Sequence, residues 1–149
     1  MRLTYFDAKP HIDDEPVRTL MLAILPHPNE EILDHLLDRY RDDDGMALLG
    51  ALDDAQQLVA IAGLRLEEEA MATILHLRVA DPARRHGVGR ALVTKAITHF
   101  KLRSVAARCA EEILPFYTAL GFEHWLIGEK PPGRKWYGVR WRRGEATQA

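Results

Sequence analysis

Seven consecutive residues, Arg84-Arg85-His86-Gly87-Val88-Gly89-Arg90, concentrate the chemistry this sequence offers. A helical pattern follows directly: Val93, Ala96, Ile97 and Phe100 fall on one face, with Arg90, Thr94 and Lys95 mostly turned away. A helix start leaves backbone N–H groups without partners, and a Ser, Thr, Asp or Asn usually caps them. No such residue stands between Arg84 and Arg90. Gly87 and Gly89 stand there instead, free to take unusual torsions and to let a ligand come close. Uncapped N–H groups at the positive end of a helix, beside three arginines, suit an anionic oxygen, above all a pyrophosphate. The bland alternative is a glycine-containing turn with solvated arginines. Two other phosphate loops are excluded: no GxxxxGK[ST] run exists, and Leu92 occupies the third-glycine place of a dinucleotide fingerprint.

Other reactive residues are less organised. The seven histidines show no HExxH and no paired-ligand spacing, which predicts no metal. The single cysteine, Cys109, excludes an internal disulfide and fits a reducing cytoplasm. It reads as a small buried apolar residue rather than a nucleophile, because a reactive thiol needs thiolate-stabilising surroundings.

The elements that must position the loop follow from periodicity. Ahead of it, Leu75, Leu77 and Val79 alternate with His76, Arg78 and Ala80, a strand that Asp81-Pro82 ends. Upstream, Leu3–Phe6 reads as a first strand, then Val17, Leu20, Met21 and Ile24 mark a helix within Asp13–Leu25. Pro26-His27-Pro28 breaks it. Asn29 caps a second helix, Glu30–Arg41, with Ile32, Leu33, Leu36, Leu37 and Tyr40 inward. Met46–Leu52 and Gln57–Leu66 read as antiparallel strands. Downstream come a strand at Ser104–Cys109, a short helix at Glu111–Leu120 with Pro115 in its first turn and Gly121 at its end, and a strand pair, Phe122–Gly128 and Trp136–Arg142. Trp136, Tyr137 and Trp141 read as core or cleft wall.

Two motifs in this frame carry a resemblance. Arg84-x-x-Gly87-x-Gly89 after an LxV strand resembles the acetyl-CoA loop of the GNAT superfamily of N-acetyltransferases. Phe116-Tyr117-Thr118-Ala119-Leu120-Gly121-Phe122 is similar to that family's FYxxxGF segment. The pair stands in the family's order and covers roughly residues 74 to 125. The resemblance implies an α/β GNAT fold over residues 1–149: a mixed, mostly antiparallel sheet flanked by helices, with a splayed central strand. It also implies that acetyl-CoA donates its acetyl group directly to an amine of a small molecule or peptide. Backbone groups at Leu77 and Val79 would hold the pantetheine arm and acetyl carbonyl. Arg84, Arg85, Gly87, Val88, Gly89 and Arg90 would hold the pyrophosphate. Tyr117 matches the tyrosine that protonates the leaving thiolate. The usual base positions hold Thr73 and Leu75, neither of which can serve; His76 and His124 are the nearest alternatives. A non-catalytic acyl-CoA-binding module is the competing interpretation, and the family leaves a homodimer open.

Composition bounds the rest. At 149 residues, 47% hydrophobic and 28% charged, the chain has a globular balance and is expected to form one domain. The opening MRLTYFD meets an acid too early for a signal peptide, and no apolar run spans a bilayer, so a cytoplasmic protein without membrane contact is expected. The net charge of −2 is unevenly spread: residues 1–74 hold 6 basic and 16 acidic side chains, residues 75–149 hold 14 and 6. A basic half containing the phosphate loop suits an anionic cofactor. Its arginines are dispersed and match no nucleic-acid module, so no nucleic-acid partner is expected. Asp42-Asp43-Asp44 and Glu67-Glu68-Glu69 read as solvated turns, or else as a rim attracting a cationic amine.

Overall fold

The computed structural model describes residues 2–144. Strand β1 (Thr4–Asp7) is followed by helices α1 (Glu15–Leu22) and α2 (Glu30–Asp42), then by strands β2 (Met46–Leu52), β3 (Leu58–Glu67) and β4 (Met71–Val79). Helix α3 (Val88–His99), β5 (Ser104–Ala110), α4 (Leu114–Ala119), β6 (Glu123–Glu129) and β7 (Lys135–Arg142) complete the chain. This is the element order the periodicities predict. The seven strands form one sheet in the order β1-β2-β3-β4-β5-β7-β6, and only β4 and β5 pair in parallel.

Each helix forms where its apolar spacing and end residues agree. In α1, Val17, Leu20 and Met21 recur at helical spacing and are buried. In α2, the Asn29 side chain accepts from the Glu31 and Ile32 amides at 2.8 and 3.1 Å, so the predicted cap is real. Leu33, Leu36, Leu37 and Tyr40 face inward, but Ile32 is 50% exposed; it stands one position, about 100°, off that stripe. In α4, Pro115 sits in the first turn, and Gly121 takes the left-handed conformation (φ 89°) just beyond the end.

The sheet divides two cores. On one face, α1 and α2 bury Leu33, Leu37, Tyr40, Met46, Leu48 and Ile61, and this cluster draws strand residues only from β1 to β4. On the other face, α3 and α4 bury Leu64, Leu92, Val93, Val105, Tyr117 and Val139 among others. Each fully buried Leu or Ile stabilises the fold by about 1.5–3 kcal/mol. Edge strand β6 is exposed along its whole length. Among the described residues no helix is long and apolar enough to cross a membrane.

The central strand departs from simple alternation. Opposite it, Gly63 pairs with His76 but Leu64 pairs with Ile74, so Leu75 is an extra residue in a β-bulge. Ile74, Leu77 and Val79 pack toward α3, whereas Leu75 packs into the α1–α2 cluster. The expectation that Leu75 shares a face with Leu77 and Val79 is therefore wrong, and the bulge is the reason.

Candidate active site

The parallel β4–β5 ladder is short. Met71, Ala72 and Thr73 pair with Ser104, Val105 and Ala106, and beyond Thr73 the strands part. The wedge between them is a cleft of about 520 Å³. Ile74 to Arg78 of β4 form one wall, and Arg108, Cys109 and Ala110 of β5 form the other. Glu112, Ile113 and Tyr117 approach from the α4 side; Ile24, Arg134 and Trp136 complete the rim. Such parting leaves one edge of β4 without a strand partner from Ile74 onward, so its backbone groups there are available to a ligand.

The 84–90 loop sits at the far end of β4. Gly87 is the residue before α3 and is left-handed (φ 71°), and no side chain caps the helix. The first helical bond runs from the Ala91 N–H to the Gly87 carbonyl at 3.0 Å, leaving the earlier amides to the loop. Arg85 is also left-handed (φ 67°), a conformation that a non-glycine residue adopts at a cost and that gathers at ligand sites. The two glycines differ in purpose. A Cβ on Gly87 would meet nothing within 4 Å. One on Gly89 would press on Phe116 and Val79 at 3.2 and 3.3 Å, so Gly89 lets α3 approach β4 and α4 closely. Arg84 is held back by Asp81 (3.2 Å) and the Val79 carbonyl (3.4 Å), while Arg85 and Arg90 are exposed. Val88 is buried beneath the loop.

Tyr117 reaches the cleft from below. Its ring is 4% exposed and stacks edge-on against Phe116 and obliquely against Phe122. Its hydroxyl has no hydrogen-bond partner among the described residues, and the residue lines the cleft. Burial, reinforced by Cys109, raises its pKa above the ordinary 10, so the phenol keeps its proton. Cys109 is buried in the same core, and burial raises its thiol too, as expected of an inert cysteine.

His76 lines the cleft but is held by a neighbour. Tyr40, fully buried in α2, hydrogen-bonds His76 Nδ1 at 2.6 Å. Gly63, the register partner of His76, makes this contact possible: any Cβ there would collide with the Tyr40 ring. Burial raises the Tyr40 pKa and, with the charge of Arg39 as a lesser cause, lowers that of His76. A protonated phenol needs an acceptor, and Tyr40 has no other among the described residues, so it donates to Nδ1. The neutral imidazole then carries its own proton on Nε2 and acts as a donor.

The remaining candidates fall elsewhere. Thr73 lies in the paired part of β4 and donates to Glu67 Oε1 at 2.6 Å. His124 lies on exposed β6 against Tyr137, outside the cleft. The Asp42–Asp44 turn leads into the start of β2 and the Glu67–Glu69 turn into the start of β4, at the closed end of the wedge. Neither contributes to the cleft. Arg78 and Arg108, which do, read in the sequence only as strand positions, with no site role. Their signal was a charge at alternating positions of the two central strands.

Residues 12–122 match the profile of the Acetyltransferase (GNAT) family, and the chain belongs to that family. It is an acetyltransferase, with the mixed α/β fold that this family's structures share. A Desulfovibrio desulfuricans protein assigned to the GNAT family superposes with a TM-score of 0.76 at 17% identity, covering 95% of this chain and 99% of that one. The ribosomal-protein-S18-alanine N-acetyltransferase of Escherichia coli gives 0.70 at 14% identity, covering 97% of each chain. An aminoglycoside 6'-N-acetyltransferase complexed with coenzyme A gives 0.71 at 12% identity, covering 95% and 97%. No curated protein matches the chain significantly in sequence.

Proposed function

We propose that this protein is a cytoplasmic enzyme that transfers the acetyl group of acetyl-CoA directly to a primary amine in the β4–β5 cleft. The observation that carries this is one continuous arrangement. An uncapped, left-handed helix start stands at the end of β4, and the unpaired edge of β4 leads from it to a buried, protonated Tyr117.

The residues fit an acyl-CoA on their own geometry. Open space at Gly87 and the uncapped first turn of α3 suit a pyrophosphate, with Arg84, Arg85, Val88, Gly89 and Arg90 around it. The β4 backbone at Leu77 and Val79 suits the amide-bearing arm. Acetyl-CoA supplies the acyl group as a thioester.

The chain's own residues then have three tasks. His76, neutral and held by Tyr40, presents Nε2–H to an acceptor or carbonyl oxygen in the cleft. Tyr117 gives its proton to the departing sulfur as the carbon–nitrogen bond forms and the carbon–sulfur bond breaks. It recovers a proton from the amine nitrogen by way of water. Burial raises a phenol and a thiolate together, because it disfavours both anions, so their match survives the enclosed site. Glu112, the one carboxylate lining the cleft among the described residues, pairs with Arg134 at 2.9 Å, and water takes the proton of the incoming amine in this reading.

Incubating the protein with acetyl-CoA and a panel of amines, and following free thiol, tests this. Amine-dependent thiol release with an N-acetylated product is expected. Calorimetric binding of acetyl-CoA without release in any amine would leave only a binding module.

A further inference from the structure

We propose that the acceptor carries a carboxylate near its amine, and that Arg78 and Arg108 bind it on the cleft side facing away from α3. This rests on the transferase assignment above and adds the class of substrate.

Strand alternation places both arginines. Leu77 and Val79 pack toward α3, so Arg78 between them points to the opposite face. Val105, Ala107 and Cys109 pack into the same α3-side core, so Arg108 also points away from it. The two lie on the two strands that part, and both line the cleft. The phosphate loop leads into α3, on the other side of the sheet; Arg108 has no contact with it, and Arg78 meets it only through Asp81, which it shares with Arg84.

Both side chains lack a partner suited to them. Arg78 Nε is buried and makes no hydrogen bond, the one buried side-chain nitrogen or oxygen among the described residues in that state. Among the described residues Arg78 has one ion-pair partner, Asp81, which stands 3.6 Å from its Nη2, beyond a good hydrogen bond, and is shared with Arg84. Arg108 is exposed and has no hydrogen bond or ion pair among the described residues. An orphaned buried donor is costly to keep and calls for a partner, which a carboxylate in the cleft would supply. The other cleft charges do not offset the pair: Glu112 is bound to Arg134, and His76 is neutral.

A guanidinium presents a planar fork of N–H donors that matches a carboxylate. Two of them beside Trp136, Ile113 and Leu75 suit a carboxylate on a partly apolar body, such as an apolar amino acid or a dipeptide ending in one. A polyamine would place a second cation against uncompensated arginines. The acidic turns that might have drawn cations lie at the closed end of the wedge.

The test measures binding to CoA-saturated protein by calorimetry, using N-acetyl-phenylalanine and its uncharged carboxamide. Neither has a titrating amine, so only the carboxylate differs. The acid should bind about tenfold tighter or better than the amide. Arg108→Gln and Arg78→Gln should each shrink that ratio toward one, and Arg108→Gln should leave CoA affinity within about twofold, since Arg108 has no contact with the loop. An amide that binds as well as the acid overturns the proposal, as does an Arg108→Gln variant that loses CoA affinity instead. Initial rates with free phenylalanine, a dipeptide and spermidine separate the sources: either of the first two preferred over spermidine supports the carboxylate subsite, and spermidine preferred over both contradicts it. Should the binding ratio hold while no amine is acetylated, the transferase assignment fails and the carboxylate subsite stands.

Discussion

Tyr40 of α2 and His76 of β4 are joined by a 2.6 Å hydrogen bond that crosses the sheet position vacated by the side chain of Gly63. Thirty-six residues separate them in sequence. The bond links the helix that covers one face of the sheet to the wall of the cleft, and it sets which nitrogen of His76 bears the proton. The bulge at Leu75 is part of the same device, because it resets the alternation just before His76.

Tyr40→Phe keeps the ring and removes the donor. It should cost about 1–2 kcal/mol by denaturant titration, since Nδ1 is left partly buried and unsatisfied. Gly63→Ala should cost more, up to about 3 kcal/mol, because the new methyl group drives into a ring that has nowhere to move. The tautomer has its own readout: the imidazole 15N shifts of His76 should report a proton on Nε2 in the wild type. A proton on Nδ1 would contradict the assigned direction of the bond.

Stability should depend on pH through His76. Burial first, and Arg39 second, hold its folded pKa below the ordinary 6.5. The unfolded chain therefore takes up a proton that the folded chain resists. The stability so conferred is present above about pH 6.5 and is lost as pH falls from there through the folded value. Between pH 7.5 and 5.5 the wild type should lose more stability than His76→Gln. Equal losses would mean that His76 is not held neutral.

Gly87→Asp should separate cofactor binding from folding. Aspartate tolerates a left-handed backbone better than most residues, and a Cβ there meets no neighbour. The melting temperature should stay close to the wild-type value, while acetyl-CoA affinity falls by about a hundredfold or more as the carboxylate repels the pyrophosphate and competes for the helix amides. Gly89→Val should behave oppositely, lowering stability by about 1–3 kcal/mol as it forces α3 from Val79 and Phe116. Unchanged acetyl-CoA affinity in a folded Gly87→Asp protein would remove the loop from the cofactor site.

Much of this was legible in the residue pattern. The Asn29 cap, the uncapped start at Gly87, the end of α4 at Gly121 and the order of elements all rest on local chemistry that a sequence displays. The rest depended on register. Nothing about Ile74-Leu75-His76 distinguishes a bulge from regular alternation, because apolar residues suit both faces of a strand covered on both sides. Arg78 and Arg108 carried a readable alternation, but their meaning emerged only once β4 and β5 parted and left them facing one space. The acidic turns stayed ambiguous between solvated turn and cleft rim for a related reason: charge is visible in sequence, whereas which end of the wedge it flanks is not.

The measurement that bears most directly on the central claim is acetyl transfer by Tyr117→Phe, with acetyl-CoA affinity determined in parallel. The substitution keeps the ring packed against Phe116 and Phe122 and removes only the hydroxyl. If Tyr117 protonates the departing sulfur, turnover should fall about 10²–10⁴-fold. Affinity should change by no more than about 1 kcal/mol, the worth of one hydroxyl contact. Turnover within about threefold of the wild type would contradict the account, because the proton must then reach the sulfur from another group.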